Sequence, residues 1–347
     1  MAISAEAGQK GRPRNKRWVL PVLILVPVVV VIISLFIGKY QANPIDIFNI
    51  ILTKILPFYD AEVPSNMRTA ILQVRLPRIL LAMLVGMSLA IGGASFQGLF
   101  RNPLVSSQIL GVSSGASFGA AIAIVFSMSS LVIQLSAFVF GLAAVGLALL
   151  INRFYKTSPT LTLVLAGVVI GSLFSSMVSL ITYTADPNIK LPAIVFWLMG
   201  SLASSANQDL MFALPPMIAG ITVLLLIRWR LNVLSMGEED AKALGINTDR
   251  LRIIVVICAT MITSAAVSVS GVIGWIGLVI PHFGRMLVGP DHKILLPTCL
   301  SMGGTYLLLM DNIARTATTA EIPIGIITGI IGAPIFAYLL TRGSRWS

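Results

Sequence analysis

Charged residues and metal-ligating side chains are scarce in this sequence. Only 11% of its 347 residues are charged, and it contains two histidines and two cysteines. Cys258 and Cys299 both lie in apolar stretches, which is typical of small packing residues and does not indicate a disulfide framework. His282 and His292 do not belong to a ligand cluster. We therefore predict no catalytic residue, no metal site and no cofactor bound by this chain, which we do not expect to be an enzyme.

Polar stretches long enough to fold as a soluble domain are also missing. The chain is 56% hydrophobic with a mean hydropathy of +0.94, a composition that excludes a soluble globular protein. A net charge of +11 would suggest nucleic-acid binding in a soluble protein, but in a membrane protein such an excess usually sits in cytoplasmic loops. The sequence therefore predicts an integral membrane protein that contacts lipid and no nucleic acid.

Charge-free runs mark the predicted membrane spans. Two of these runs are long enough for two spans each, with breaks expected near 127–130 and at 268–274. A short helix at 191–203 is expected to precede a single span at 210–227. The pattern predicts an all-α fold with ten transmembrane helices. The runs cover 18–38, 79–100, 102–152, 157–185, 191–208, 210–227, 253–284, 294–310 and 322–341.

The distribution of Lys and Arg predicts the orientation. One transmembrane domain covers 18–342, between a basic N-terminal segment, 1–17, and a short tail, 343–347. With the N-terminus inside, seventeen of the twenty-four lysines and arginines fall in inner segments and seven in outer segments. We therefore expect both termini in the cytoplasm and a multi-pass protein of the cytoplasmic membrane.

No Asp, Glu, Lys or Arg lies in the middle of a predicted span. Ion-coupled carriers and proton pumps usually keep such groups there, so the sequence argues against transport driven by an ion gradient. Energy for moving a substrate would then enter from another subunit. A transporter or channel that works without nucleotide, and a membrane scaffold that recruits a soluble regulator, are the alternatives from other classes.

One polar stretch, 228–252, interrupts the apolar sequence. Ser235 followed by Glu238 is a capping-box pattern and predicts that a helix begins there, while Gly245 suits the left-handed conformation that ends a helix. The resulting cytoplasmic helix, at about 235–245, is too short to be stable alone and too polar for lipid. We expect it to dock on a soluble partner subunit.

Four stretches of the chain resemble one family, the FecCD-type permeases, which are the membrane subunits of type II ABC importers for ferric siderophores, haem and cobalamin. The resemblance extends over about 74–340. The stretches are VRLPRILLAMLVGMSLAIGGASFQGLFRNPLVSSQILGVSSGAS from Val74, GEEDAKALGI from Gly237, GWIGLVIPHFGRMLVGPDHKILLP from Gly274, and DNIARTATTAEIPIGIITGIIGAPIFAYLL from Asp311.

The resemblance implies the ten-helix type II importer fold, a dimer of two such chains, two cytoplasmic ATPase subunits and an extracytoplasmic substrate-binding protein. ATP and magnesium would bind to the ATPase, because this chain has no GxxxxGK[ST] motif. The cargo implied is a metal chelate, a ferric siderophore first and haem or cobalamin next. Transport would proceed by alternating access.

The resemblance also implies roles for two sets of residues. The residues of the coupling helix that would transmit closure of the ATPase are Glu238, Glu239, Ala241, Leu244 and Gly245; the alternative is a solvated loop helix. Three outer arginines, Arg75, Arg78 and Arg315, match family arginines that pair with acidic residues of the binding protein. The alternatives are snorkelling to the membrane interface and, for Arg315, an ion pair with Asp311 at helical spacing.

Two further features concern the path of the substrate. Asn102 and Pro103 are expected to shape a turn at the inner gate, mainly as structural residues. Hydroxyl side chains recur on one face of the fifth span and predict a mildly polar wall, although a helix interface rich in serine is nearly as good an explanation. They are Ser172, Ser175, Ser176, Ser179 and Thr182.

Overall fold

The computed structural model of the chain describes residues 19–38, 43–55, 58, 63–154 and 159–342, and within these residues the chain forms helices and no strand. The helices are α1 (Val19–Phe36), α2 (Pro44–Ile55), α3 (Ser65–Thr69), α4 (Leu76–Phe100), α5 (Val112–Val125), α6 (Ser130–Phe154), α7 (Pro159–Thr184), α8 (Lys190–Leu198), α9 (Asn207–Leu226), α10 (Arg228–Met236), α11 (Glu238–Ala243), α12 (Thr248–Ser270), α13 (Ile276–Val288), α14 (His292–Thr316) and α15 (Ile324–Arg342). A π-helical segment, Ala70–Arg75, joins α3 to α4 without a break.

Six helices in the described part of the chain are long and apolar enough to cross a membrane. They contain Ser65–Phe100, Ser130–Phe154, Leu161–Thr184, Asn207–Leu226, Thr248–Ser270 and His292–Thr316. Shorter apolar helices occupy four other predicted spans, at Pro21–Phe36, Val112–Val125, Ile276–Val288 and Ile324–Leu339. Every predicted span therefore corresponds to a helix, while the count of ten crossings stays a prediction.

The two predicted breaks are confirmed. α5 ends at Val125 and α6 begins at Ser130, with Ser127 in the left-handed region at φ +54°. After α12, residues 271–275 run without helix, starting at Gly271, whose φ is +67°. Gly271 is required there, because a Cβ would lie 2.3 Å from the backbone oxygen of Trp197. Non-helical backbone of this kind is tolerated in a membrane protein where it is buried.

The centre of the bundle is the contact between α4 and α14. Gly86 and Gly303 face each other so closely that a Cβ on Gly86 would lie 2.2 Å from the carbonyl oxygen of Gly303. Close backbone approach through small residues is the usual way in which helices pack without a hydrophobic driving force. α12 also packs on α4. α6, α7 and α9 are the most exposed of the six long helices, as expected for helices that face lipid or another subunit.

Three elements were not predicted. α2 is an amphipathic helix with Asp46, Asn49 and Thr53 at helical spacing; it packs on the bundle through Ile47 and Ile50. α3 extends the second span at its start, and α10 occupies the first third of the polar stretch. The predicted terminal segments, 1–17 and 343–347, lie outside the described residues.

Candidate functional site

The polar stretch folds as α10, α11 and the beginning of α12, and the single residue between α10 and α11 corrects the predicted helix start. Gly237, with φ +149°, lies between α10 and α11, so α11 begins at Glu238. Ser235 does not cap it, because Ser235 lies in the last turn of α10 and its hydroxyl donates to the carbonyl of Asn232 at 2.6 Å. α11 is therefore only six residues long, less than two turns.

The end of α11 agrees with the prediction. Gly245 is left-handed, with φ +78°, and its N–H donates to the carbonyl of Lys242 at 2.9 Å. Ala241 is fully buried, while Leu244 is 64% exposed and Glu239 is also exposed. The helix thus has an inner face that holds it to the bundle and an exposed outer face that includes both Glu239 and Leu244.

Glu238 lies at the boundary between these two faces. Its carboxylate forms an ion pair with Arg252 on α12, and Arg252 also contacts Asp249 at 3.2 Å. The Arg252 side chain is 9% exposed and the Glu238 side chain 41% exposed, so the pair is half-buried. This contact attaches α11 to α12. Sequence reasoning missed Arg252, because no local pattern links residues 14 positions apart.

The three outer arginines are buried in one polar cluster. Arg78 binds Asp311 through two nitrogens, with Nη2–Oδ1 at 2.8 Å and Nε–Oδ1 at 3.0 Å, and its Nη1 lies 2.8 Å from Glu321. Arg315 pairs with the same aspartate, Nε–Oδ2 at 3.3 Å, which confirms that alternative. Arg75 donates to the carbonyl of Leu35 at 3.0 Å.

Burial of this cluster bears on the predicted docking role. Arg75, Arg78 and Arg315 are each 5–6% exposed, so none of them extends to the surface by snorkelling. Two carboxylates and a backbone carbonyl already satisfy part of their charge and hydrogen-bonding capacity. Docking of a partner on these arginines stays a prediction. It would require a carboxylate of the partner to enter the cluster.

The predicted hydroxyl face lies on the open side of α7. Ser172, Ser175, Ser176 and Ser179 are exposed and Thr182 is half-buried. The Ser179 hydroxyl donates to the carbonyl of Ser175 at 3.0 Å and the Thr182 hydroxyl to that of Val178 at 2.7 Å. The Ser175 hydroxyl lies 3.1 Å from that of Ser114 on α5. The face is therefore polar, and part of its hydrogen-bonding capacity is used within the chain.

The predicted turn after α4 is present. Arg101 ends α4 in the left-handed region at φ +52°, and the Asn102 side-chain oxygen accepts from the N–H of Leu104 at 2.9 Å. Pro103 follows on the exposed side of this turn. The left-handed residue and the side-chain hydrogen bond expected of a turn are therefore present, while its function as a gate stays a prediction.

A bundle of apolar helices, six of them long enough to cross a membrane in the described part of the chain, defines a class, the multi-pass membrane proteins. The sequence profile of the FecCD transport family matches residues 24–342. The chain belongs to this family, whose members are permease subunits of type II ABC importers.

Individual proteins agree with this assignment. The Molybdate import system permease protein MolB of Haemophilus influenzae is 43% identical over 93% of this chain and 95% of its own length. A probable iron chelatin transport system permease protein of Helicobacter pylori is 43% identical over 82% of this chain and 86% of its own length. A solved metal-chelate type ABC transporter in an inward-facing conformation has a TM-score of 0.84 and 42% identity, and covers 94% of this chain and 99% of that one.

Proposed function

We propose that this chain is the permease subunit of an ABC importer in the cytoplasmic membrane, and that partner ATPase subunits drive it. The observation that carries the proposal is α11: its inner face is anchored by Ala241 and Glu238, while Leu244 and Glu239 face outward on a helix too short to stand alone. An exposed leucine and an exposed carboxylate on one short helix are groups that a cleft in another protein would cover.

The assembly that follows from this proposal has two copies of the chain, two ATPases and an extracytoplasmic binding protein. Each copy crosses the membrane ten times within 18–342, with both termini and α11 in the cytoplasm. ATP and magnesium bind to the ATPases, so the chain itself catalyses nothing. The hydroxyl faces of the two α7 helices line the path, and the turn at Asn102 and Pro103 bounds its inner end.

The binding protein meets the opposite end of the bundle, at Arg75, Arg78 and Arg315. Guanidinium groups bind carboxylates through paired hydrogen bonds, as Arg78 does with Asp311, so this cluster favours an acidic partner. Substitution of Arg75 tests the contact, because Arg75 has no part in the Arg78–Asp311 pair. Binding-protein affinity should fall in R75Q and be largely kept in R75K, which retains the charge; the melting temperatures of both variants are measured, because each alters the buried hydrogen bond to Leu35.

For the cargo we propose a metal chelate, a ferric siderophore first, with haem and cobalamin next. A molybdate oxyanion is a second candidate, since the Haemophilus influenzae relative that matches nearly the whole chain is a molybdate permease. The weakly polar wall formed by Ser175 and Ser179 would suit a cargo that must be released, whichever of these it is.

Reconstitution tests the proposed function directly. The chain, its ATPase and its binding protein are placed in proteoliposomes, and uptake of a radiolabelled ferric siderophore, haem, cobalamin and molybdate is measured with ATP or with a non-hydrolysable analogue. Uptake of one cargo that requires hydrolysis is the expected result. Uptake that is equal with the analogue would favour the alternative of a nucleotide-independent transporter or channel.

A further inference from the structure

A side-chain bridge fastens α10 to the start of α14. The Asn232 side-chain oxygen accepts from the backbone N–H of His292 at 2.7 Å and lies 2.9 Å from Nδ1 of the same residue. The Asn232 amide nitrogen donates to Oδ1 of Asp291 at 2.6 Å. Asp291 is also the N-cap of α14, since its Oδ1 accepts from the N–H of Lys293 at 2.9 Å.

The chemistry of this bridge requires an amide in one orientation. A backbone N–H can only donate and a carboxylate can only accept, so the Asn232 oxygen must face His292 and its nitrogen must face Asp291. Aspartate at 232 would place two carboxylates together with no proton donor between them, and alanine would leave the Asp291 and His292 groups without this partner.

The bridge also reaches α4. The His292 ring lies against Gly98, where a Cβ would stand 2.4 Å from Nε2, so the ring is wedged between α10 and α4. From His292, α14 extends to Thr316 and carries Asp311, the partner of Arg78, near its other end. One helix therefore connects the segment beside α11 with the buried arginine cluster.

We propose that Asn232 is a positioning residue that makes α10 and the start of α14 move as one body, so that displacement of α11 reaches the arginine cluster through α14. This inference rests on the proposed function of α11. Gly237 alone separates α10 from α11, and the second attachment of α11, through Glu238 and Arg252, leads to α12 instead. A displacement of α11 is thus passed to two helices, to α14 through α10 and to α12 through Arg252.

Stimulation of ATP hydrolysis by the binding protein is the readout for this role. In the reconstituted complex, N232D should lower the stimulation about fivefold or more, as expected for loss of a coupling contact, while the basal rate and the yield of complex stay near wild type. D291N is the companion variant and should keep the stimulation, because an amide oxygen at 291 can still accept from Asn232 and from the N–H of Lys293. Wild-type stimulation in N232D, or an equal loss in D291N, would overturn the proposal.

N247A is the matched control. Asn247 caps α12 on the other side of α11, where its side-chain oxygen accepts from the N–H of Arg250 at 3.0 Å. Loss of this cap should lower the melting temperature and leave the stimulation unchanged. Equal loss of stimulation in N247A and N232D would contradict a specific role for the α10–α14 bridge and point to general damage around α11.

A distance measurement separates this inference from the proposed function. Spin labels at Ser235 and Lys293, both exposed, report the separation of α10 and α14 in the purified chain. One narrow distance distribution is expected in the wild type, and a broad one in N232D. Equal distributions would overturn the bridge even if ATPase coupling were seen. If no ATPase binds the wild-type chain, the proposed function fails while the distance test still decides the bridge.

Discussion

The guanidinium of Arg78 and the carboxylate of Asp311 meet 233 residues apart in sequence, at 2.8 and 3.0 Å, in a place where the carboxylate has no exposure to solvent. This pair joins α4 to α14, the same two helices whose backbones touch at Gly86 and Gly303. The ion pair and the glycine contact therefore hold α4 and α14 together at two positions along their length.

Removal of Asp311 should be strongly destabilising. D311A leaves the buried Arg78 and Arg315 without their shared carboxylate, and breaking a buried pair in this way costs about 3–5 kcal/mol. Thermal unfolding in detergent measures the loss. The control is D249A, because Asp249 pairs with Arg252 with its side chain 78% exposed and should contribute under about 1 kcal/mol. Equal effects of the two variants would contradict the structural role of the buried pair.

The glycine contact between α4 and α14 should not tolerate a methyl group. In G86A the new Cβ meets a backbone carbonyl that cannot rotate away, so we expect destabilisation of about 1–3 kcal/mol, typical of overpacking. G146A on α6 is the control, since no atom lies within 4 Å of the Cβ position there, and it should be neutral or stabilising. A neutral G86A would show that the helices pack less closely than described.

Detachment of α11 from α12 should make α11 more mobile. R252Q removes the ion pair with Glu238, so amide hydrogen exchange within α11 should become faster, while R250Q next to it should have no such effect. Arg250 is exposed and forms no ion pair in the described part of the chain, and it lies two positions before Arg252, which makes it a close match. An unchanged rate of amide hydrogen exchange in R252Q would mean that the buried Ala241, without the ion pair, is enough to hold α11 on the bundle.

The hydroxyl face of α7 should matter for transport and not for folding. S175L and S179L add bulk to exposed positions, so the chain should fold and assemble normally while uptake falls about tenfold or more if the path is lined there. A143L, at an exposed position on α6, is the control and should leave uptake unchanged. Normal uptake in both serine variants would indicate that this face is a packing surface.

Much of the fold could be read from the sequence because membrane spans are signalled locally. Absence of charge located the spans, and the polar serines at 127–130 and the glycines at 271 and 274 located the breaks. α2 was not predicted, because its amphipathic segment contains charged residues and is too short to suggest a membrane span. The start of α11 was misplaced because Ser235 fits a capping box equally well whether or not a preceding helix already includes it.

The site was predicted where its chemistry is local and missed where it depends on tertiary contacts. The left-handed Gly245 and the pairing of Arg315 with Asp311 four residues away follow from spacing. Burial of Arg78 against Asp311, and the bridge from Asn232 to Asp291, join residues distant in sequence, and no pattern along the chain specifies such partners. The position of Asp291 just before His292 does suggest a helix cap, but the sequence does not indicate that the Asp291 carboxylate also accepts a hydrogen bond from Asn232.

The most direct test of the importer assignment is affinity purification of the tagged chain from its own membranes in mild detergent, followed by mass spectrometry. An ATPase subunit should copurify with the wild type and be lost in the double variant E239A/L244A, which alters only the exposed face of α11. E238Q should retain more of the ATPase, because that carboxylate is turned toward Arg252. Absence of any ATPase from the wild-type preparation, or equal recovery with E239A/L244A, would contradict the account.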